Sequence, residues 1–281
     1  MFARIAAFEF RYQIKNPVLW VGAGLLFLFT YGFVASDQIR IGDGGGNTHE
    51  NGPFSIAQTH LVFSIFYMFV AAAFVANVVV RDDDTGYGPI VRSTRITKFD
   101  YLFGRFTGAL LVAIMGFLSI PLGIWIGSAM AWIDPETLGP NRLEYYACSF
   151  FVLAVPNVIV TSAIFFALAT ATRSMMATYI GVIAVLIFWV IINTSLQSQP
   201  ELQESLAIAD PFGFQGFAQA TRYWTAAERN ASVPDVAGLI LWNRLLWLAL
   251  SAVFLVLAHF AYRFADKGAS RRKRRKARRA A

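Results

Sequence analysis

The sequence predicts an all-α integral membrane protein with six transmembrane helices, and three observations carry that prediction. Of the 281 residues, 57% are hydrophobic and only 15% are charged, against about 25% charged in a typical soluble domain. Mean hydropathy is +0.52, and the apolar residues fall in long blocks that a soluble α/β core does not need. Six blocks reach the roughly 20 residues that cross about 30 Å of hydrocarbon at about 1.5 Å per residue. They lie near 18–36, 59–80, 106–132, 145–170, 176–196 and 239–262. An interfacial helix ahead of the first span and short external helices before the last complete the predicted architecture.

Residues 1–16 read as a helix lying on the membrane. Arg4, Arg11 and Lys15 fall on one stripe; Phe2, Ile5, Phe10, Tyr12 and Ile14 spread over the rest, with Glu9 and Gln13 as exceptions. Such a helix buries aromatics at the acyl boundary and turns its basic stripe to anionic lipid headgroups. The plainer reading is a helical extension of the first span. Asn16-Pro17 ends it and starts the next helix. The first apolar run is long enough to span and lacks a small-residue cleavage site, so it is expected to be retained rather than removed as a signal peptide.

Lysine and arginine set the orientation. With the N-terminus cytoplasmic, the inside segments hold 19 of the 24 basic residues: three in 1–16, five in 81–105, Arg173, and ten from Arg263 onward. The outside holds Arg40, Arg142, Arg222, Arg229 and Arg244. Both termini are therefore expected in the cytoplasm. The same distribution turns the +7 net charge toward lipid surfaces rather than nucleic acid.

Between these segments the readings are local. The first external loop, 37–58, contains GDGGGN and reads as flexible; its His49 and the nearby His60 lack a metal-ligand spacing. Asn77 in span two is expected to bond a neighbouring helix. Pro121 and Pro156 sit inside spans three and four, where they serve either packing geometry or a hinge. A short turn over 170–177 joins spans four and five. The external segment 197–238 carries Asp210-Pro211 as a helix start, an apolar Phe212, Phe214 and Phe217, and a capping box from Thr225 to Glu228. It is expected to rest on the outer surface with Tyr223 and Trp224 at interface depth; a lid over an exit path is the other reading. Residues 263–281, ten of them basic, are expected to be disordered and to cling to anionic lipid.

Catalytic signatures are missing. The chain has no phosphate-binding loop of the G-x-x-x-x-G-K-[ST] form, no H-E-x-x-H and no G-x-S-x-G. No span carries an acid near its middle, where an ion-coupled carrier would need one. Arg244 and His259 lie toward opposite ends of span six, where snorkelling is available. The run Asp82-Asp83-Asp84 reads as part of a solvated loop rather than a cation site. The lone Cys148 reads as an inert small hydrophobe. The expectation is a membrane part that is not itself an enzyme, binds no cofactor or metal, and needs another subunit for energy.

Residues 81–105, RDDDTGYGPIVRSTRITKFDYLFGR, form a polar connection between two strongly apolar blocks. Acids come first, at Asp82–Asp84, and bases follow at Arg92, Arg95 and Lys98, with Ser93, Thr94 or Thr97 as candidate helix caps. This stretch, the run Lys15-Asn16-Pro17-Val18-Leu19-Trp20-Val21, and six spans with a long external segment before the last resemble the permease subunits of type-2 (type V) ABC exporters. More narrowly, residues 81–105, 134–141, 169–177 and 210–230 resemble the N-terminal permease segment of bacterial permease/aminopeptidase fusion proteins.

That resemblance implies an elbow helix over 1–16, a six-span permease domain over 17–262, and a coupling loop over 81–105 that docks on an ABC ATPase subunit. The docking residues it implies are Asp84, Thr85, Gly86, Arg92, Ser93, Thr94, Arg95, Lys98 and Asp100. It also implies re-entrant or surface helices over 197–238, a second permease copy or paralogue, ATP and magnesium on the partner, and residence in a bacterial inner membrane. Family members often carry Glu and Pro where this chain has Asp84 and Arg95. No peptidase activity is expected of these residues. A non-transporting membrane anchor or scaffold for a partner enzyme is the alternative function.

Overall fold

The computed structural model describes residues 1–36, 47–86, 93–198 and 200–262. The described residues are all helical or irregular, and six helices are long and apolar enough to cross a membrane: Pro17–Ala35, Pro53–Asp82, Lys98–Gly127, Leu143–Thr172, Met175–Ser195 and Gly238–Ala261. Six such helices mark a multi-pass membrane protein. Spans two and four are the most buried and form the centre; spans one, five and six keep most of their surface on the outside. Spans two and three both run past their apolar blocks, span two beginning at Pro53 and span three at Lys98. Pro53 suits a first helical position, and the Thr97 hydroxyl accepts the Asp100 amide at 3.1 Å as an N-cap.

The N-terminal helix, Phe2–Ile14, packs along span three. Glycine makes that approach close. A Cβ at Gly108 would meet the Ala6 carbonyl oxygen at 2.5 Å and the Glu9 Cβ at 2.8 Å. Farther along, a Cβ at Gly123 would meet the Phe27 carbonyl oxygen at 2.7 Å. Small residues here let backbones pack where larger ones would hold them apart. Span three thus carries the N-terminal helix on one half and span one on the other.

Proline and π-helical turns interrupt three spans. Span three breaks after Phe117, where Leu118 bonds the Met115 carbonyl at 3.2 Å; Pro121 has no amide to give Phe117. In span four a π-helical stretch, Ser149–Ala154, comes just before Pro156. A second, Ala72–Ala76, widens span two where it faces span four. Asn77, expected to bond a neighbouring helix, is instead exposed on the surface of the bundle. Spans four and five meet through Arg173, in the left-handed region at φ 51°, as the short turn required.

The segment before span six does not lie flat on the surface and takes the re-entrant form that the family resemblance also allowed. Gln203–Ala209 and Phe214–Ala220 form a helical hairpin whose tip, 210–213, is buried among the spans. Asp210 and Pro211 lie between the two helices, so the second begins at Phe214 rather than at Pro211. Phe212 is fully buried, in one apolar cluster with Met68, Ala72, Phe165 and Val182. The Thr225–Glu228 capping box is present and starts a third short helix, Ala226–Ala231. Beside it Tyr223 is 85% exposed.

Candidate functional site

Two buried polar clusters organise the bundle, one at the end that holds the N-terminal helix and one near the middle of span four. The first lies where the N-terminal helix meets spans two and three. Glu9 is completely buried and accepts from Arg81 Nη2 at 2.9 Å and from Arg105 Nη1 at 2.7 Å. Arg105 gives its Nη2 to Asp82 Oδ2 at 2.5 Å, and the Tyr101 hydroxyl donates to the same oxygen at 2.8 Å. Gln13, one turn beyond Glu9, donates to Glu9 Oε1 at 2.8 Å. Its amide nitrogen also lies 3.4 Å from the Phe74 carbonyl, within the π-helical stretch of span two. The Arg81 guanidinium stacks on the Tyr12 ring at 4.2 Å.

Two arginines and two carboxylates thus neutralise one another, with Glu9, Asp82 and Arg105 buried and Arg81 partly exposed at the edge. Breaking such a set by removing one partner strands a buried charge and costs about 3–5 kcal/mol. The cluster joins three elements distant in sequence, and span two leaves it at Asp82 while span three returns to it at Tyr101 and Arg105. The connection between spans two and three is therefore held at both ends by the same buried ions. This corrects the reading of Asp82 as a solvated loop residue: helix continues to Asp84, and Asp82 turns inward to meet Arg105.

The residues expected to dock a partner are distributed around this hub. Thr85 and Gly86 follow span two and are exposed; the Thr85 hydroxyl donates to the Arg81 carbonyl at 2.8 Å, and Gly86 takes φ 72°. Asp84 ends the helix. Ser93, Thr94 and Arg95 are exposed, while Lys98 and Asp100 belong to the first turn of span three and are half-buried. Asp100 also receives the Phe2 amide at 3.0 Å, with the N-terminal amine 3.8 Å away, which fixes the start of the N-terminal helix. Arg92 lies outside the described residues, as do 37–46 and the basic tail from 263. Arg4, Arg11 and Lys15 all face outward from the N-terminal helix, opposite Glu9 and Gln13.

The second cluster satisfies the broken backbone of the hairpin tip. Asn243 Nδ2 lies 2.9, 3.0 and 2.8 Å from the carbonyl oxygens of Ala207, Ile208 and Asp210. Asn157 Nδ2 and Arg244 Nη2 both donate to the Phe212 carbonyl, at 3.0 and 2.7 Å, and Arg244 Nη1 reaches Asn157 Oδ1 at 2.6 Å. Amides are met from the other side: Asp210 accepts from Phe212 N at 3.0 Å and Gln215 N at 2.9 Å. Asn157 sits midway along span four, so the tip reaches the middle of the bundle, where irregular backbone is tolerated only when protein groups satisfy it. Arg244, read as snorkelling outward, is instead buried, because Asn157 and the Phe212 carbonyl offer its two terminal nitrogens partners inside the bundle.

Glu9 was visible in the sequence as an acid about 140° round the helix from the basic stripe. An acid on the face turned away from headgroups faces protein and needs a cation. Arg105, Tyr101 and Arg244 gave no such signal, since their partners come from distant segments. Comparison with known protein families finds no family that matches the chain, and comparison with curated proteins finds no match.

Proposed function

We propose that this chain is the membrane permease subunit of an ATP-binding-cassette transporter, moving its substrate across a bacterial inner membrane by alternating access. A separate ATPase subunit, holding ATP and magnesium, docks beneath the connection between spans two and three, and a second permease completes the path. The observation that carries this reading is the anchoring of that connection at both ends in the Glu9–Arg81–Asp82–Arg105 hub. A push on Ser93–Lys98 from outside the bundle is delivered to the N-terminal helix and to spans two and three together. A flexible tether would dissipate it. The six apolar helices and the resemblance of the connecting sequence to exporter coupling loops support the same reading.

The positive-charge distribution supports a cytoplasmic position for the hub, the connection and both termini. Purification of the tagged chain from its own host in mild detergent tests the proposal. The expected result is a stable complex with an ATP-hydrolysing subunit, whose turnover falls on Arg95→Glu. A chain that purifies alone, with no nucleotide hydrolysis in the fraction, would favour an anchor or scaffold.

A further inference from the structure

The corner between the N-terminal helix and span one forms an open hollow of about 620 Å³ lined by Phe8, Arg11, Tyr12, Lys15, Asn16 and Pro17. We propose that it is a socket for the headgroup of an anionic phospholipid. Arg11 and Lys15 stand one turn apart on the same helix face, both exposed, and no acid among the described residues lines the hollow. The single acid of this helix, Glu9, is turned inward and engaged by Arg81 and Arg105, so it does not neutralise the two cations.

The walls are equally selective. Phe8 and Tyr12 stack at 6.3 Å between centroids and an interplanar angle of 25°, and they remain 58% and 49% exposed. They form an apolar flank beside the cations, suited to the glycerol and first methylenes of a lipid. A soluble anion would make no use of that flank. Asn16 spends its side-chain oxygen on the Val18 amide at 3.0 Å, capping span one. The floor of the hollow is therefore the start of a membrane span, where the acyl boundary begins. Trp20 Nε1 donates to the Ile14 carbonyl at 2.8 Å, bracing the corner that sets the spacing of the hollow.

The occupant is thus a phosphodiester joined to an acyl chain, bound through charge by Arg11 and Lys15 and through apolar contact by Phe8 and Tyr12. This inference stands independently of the transport proposal, because lipid retention is read without nucleotide or substrate.

The test uses the full chain in nanodiscs of equal phosphatidylglycerol and phosphatidylethanolamine, released into the gas phase and weighed with its bound lipids. The parent is expected to retain phosphatidylglycerol preferentially. Retention should fall about fivefold for each cation removed in Arg11→Gln and Lys15→Gln, while Arg11→Lys keeps it. Arg222→Gln, at an exposed position outside the hollow, leaves it unchanged. Equal retention of the two lipids by the parent, or undiminished phosphatidylglycerol on either single variant, overturns the proposal. If the double variant does not stay monodisperse, the two single variants decide.

Discussion

Arg105 and Glu9 are 96 residues apart in sequence and 2.7 Å apart in the fold. This contact fastens the N-terminal helix to span three, and through Asp82 and Arg81 it includes span two. Arg105→Ala leaves Glu9 with one arginine and Asp82 with its tyrosine. The expected loss is about 3–5 kcal/mol, read as a lowered thermal midpoint in detergent. Arg105→Lys should recover only part of it, because an ammonium cannot present two separate nitrogens to two carboxylates.

Gly108 is the steric half of the same joint. A side chain there strikes the Ala6 carbonyl and the Glu9 Cβ. Gly108→Val is expected to lift the N-terminal helix from span three without unfolding the bundle. Limited proteolysis should then cut within residues 1–16 at least tenfold faster, while cleavage elsewhere is unchanged.

How much of this was legible beforehand depends on the range of the forces involved. Span number and approximate position follow from uninterrupted apolar length, which is local, and the Thr225–Glu228 capping box follows from a four-residue pattern. The start of span three was misplaced because Lys98, Asp100 and Arg105 make its first turns look like loop. Only the fold shows that Arg105 is buried against Glu9 and Asp82. Arg244 failed for the same reason: near a span end an arginine is indifferent between water and protein until a partner such as the Phe212 carbonyl is in place. Composition leaves the hairpin readable as surface helices, because Phe212, Phe214 and Phe217 suit a membrane surface as well as a core, and only the family resemblance also allowed a re-entrant form.

Asn243 meets three carbonyls of the hairpin from one side-chain nitrogen. Asn243→Leu preserves size but leaves those oxygens without that donor in an apolar setting. The expected cost is about 3 kcal/mol or more, concentrated in 203–220. Hydrogen exchange should accelerate there before it does in spans two and four.

The Thr225–Glu228 capping box provides a pH test. Bonds from the Thr225 amide and hydroxyl hold the Glu228 carboxyl below its usual range. Its folded pKa is therefore lower than its unfolded one. The stabilisation is present above the ordinary glutamate value of about 4.3 and is lost as pH falls through the folded value. Exchange protection of the Arg229 and Ser232 amides, which bond Thr225 and Glu228 carbonyls at 2.9 and 2.7 Å, should drop on acidification. Glu228→Gln should flatten that pH dependence.

The most direct measurement of the central claim is a photocrosslink from the exposed edge of the connection. A photoreactive amino acid at Arg95, exposed and outside the ionic hub, is expected to capture an ATP-hydrolysing subunit in intact cells. The same group at Tyr223, on the segment before span six that the proposed orientation puts outside, should capture none. A crosslinked partner without nucleotide-hydrolysing activity, or equal capture of the ATPase from both positions, would contradict the account.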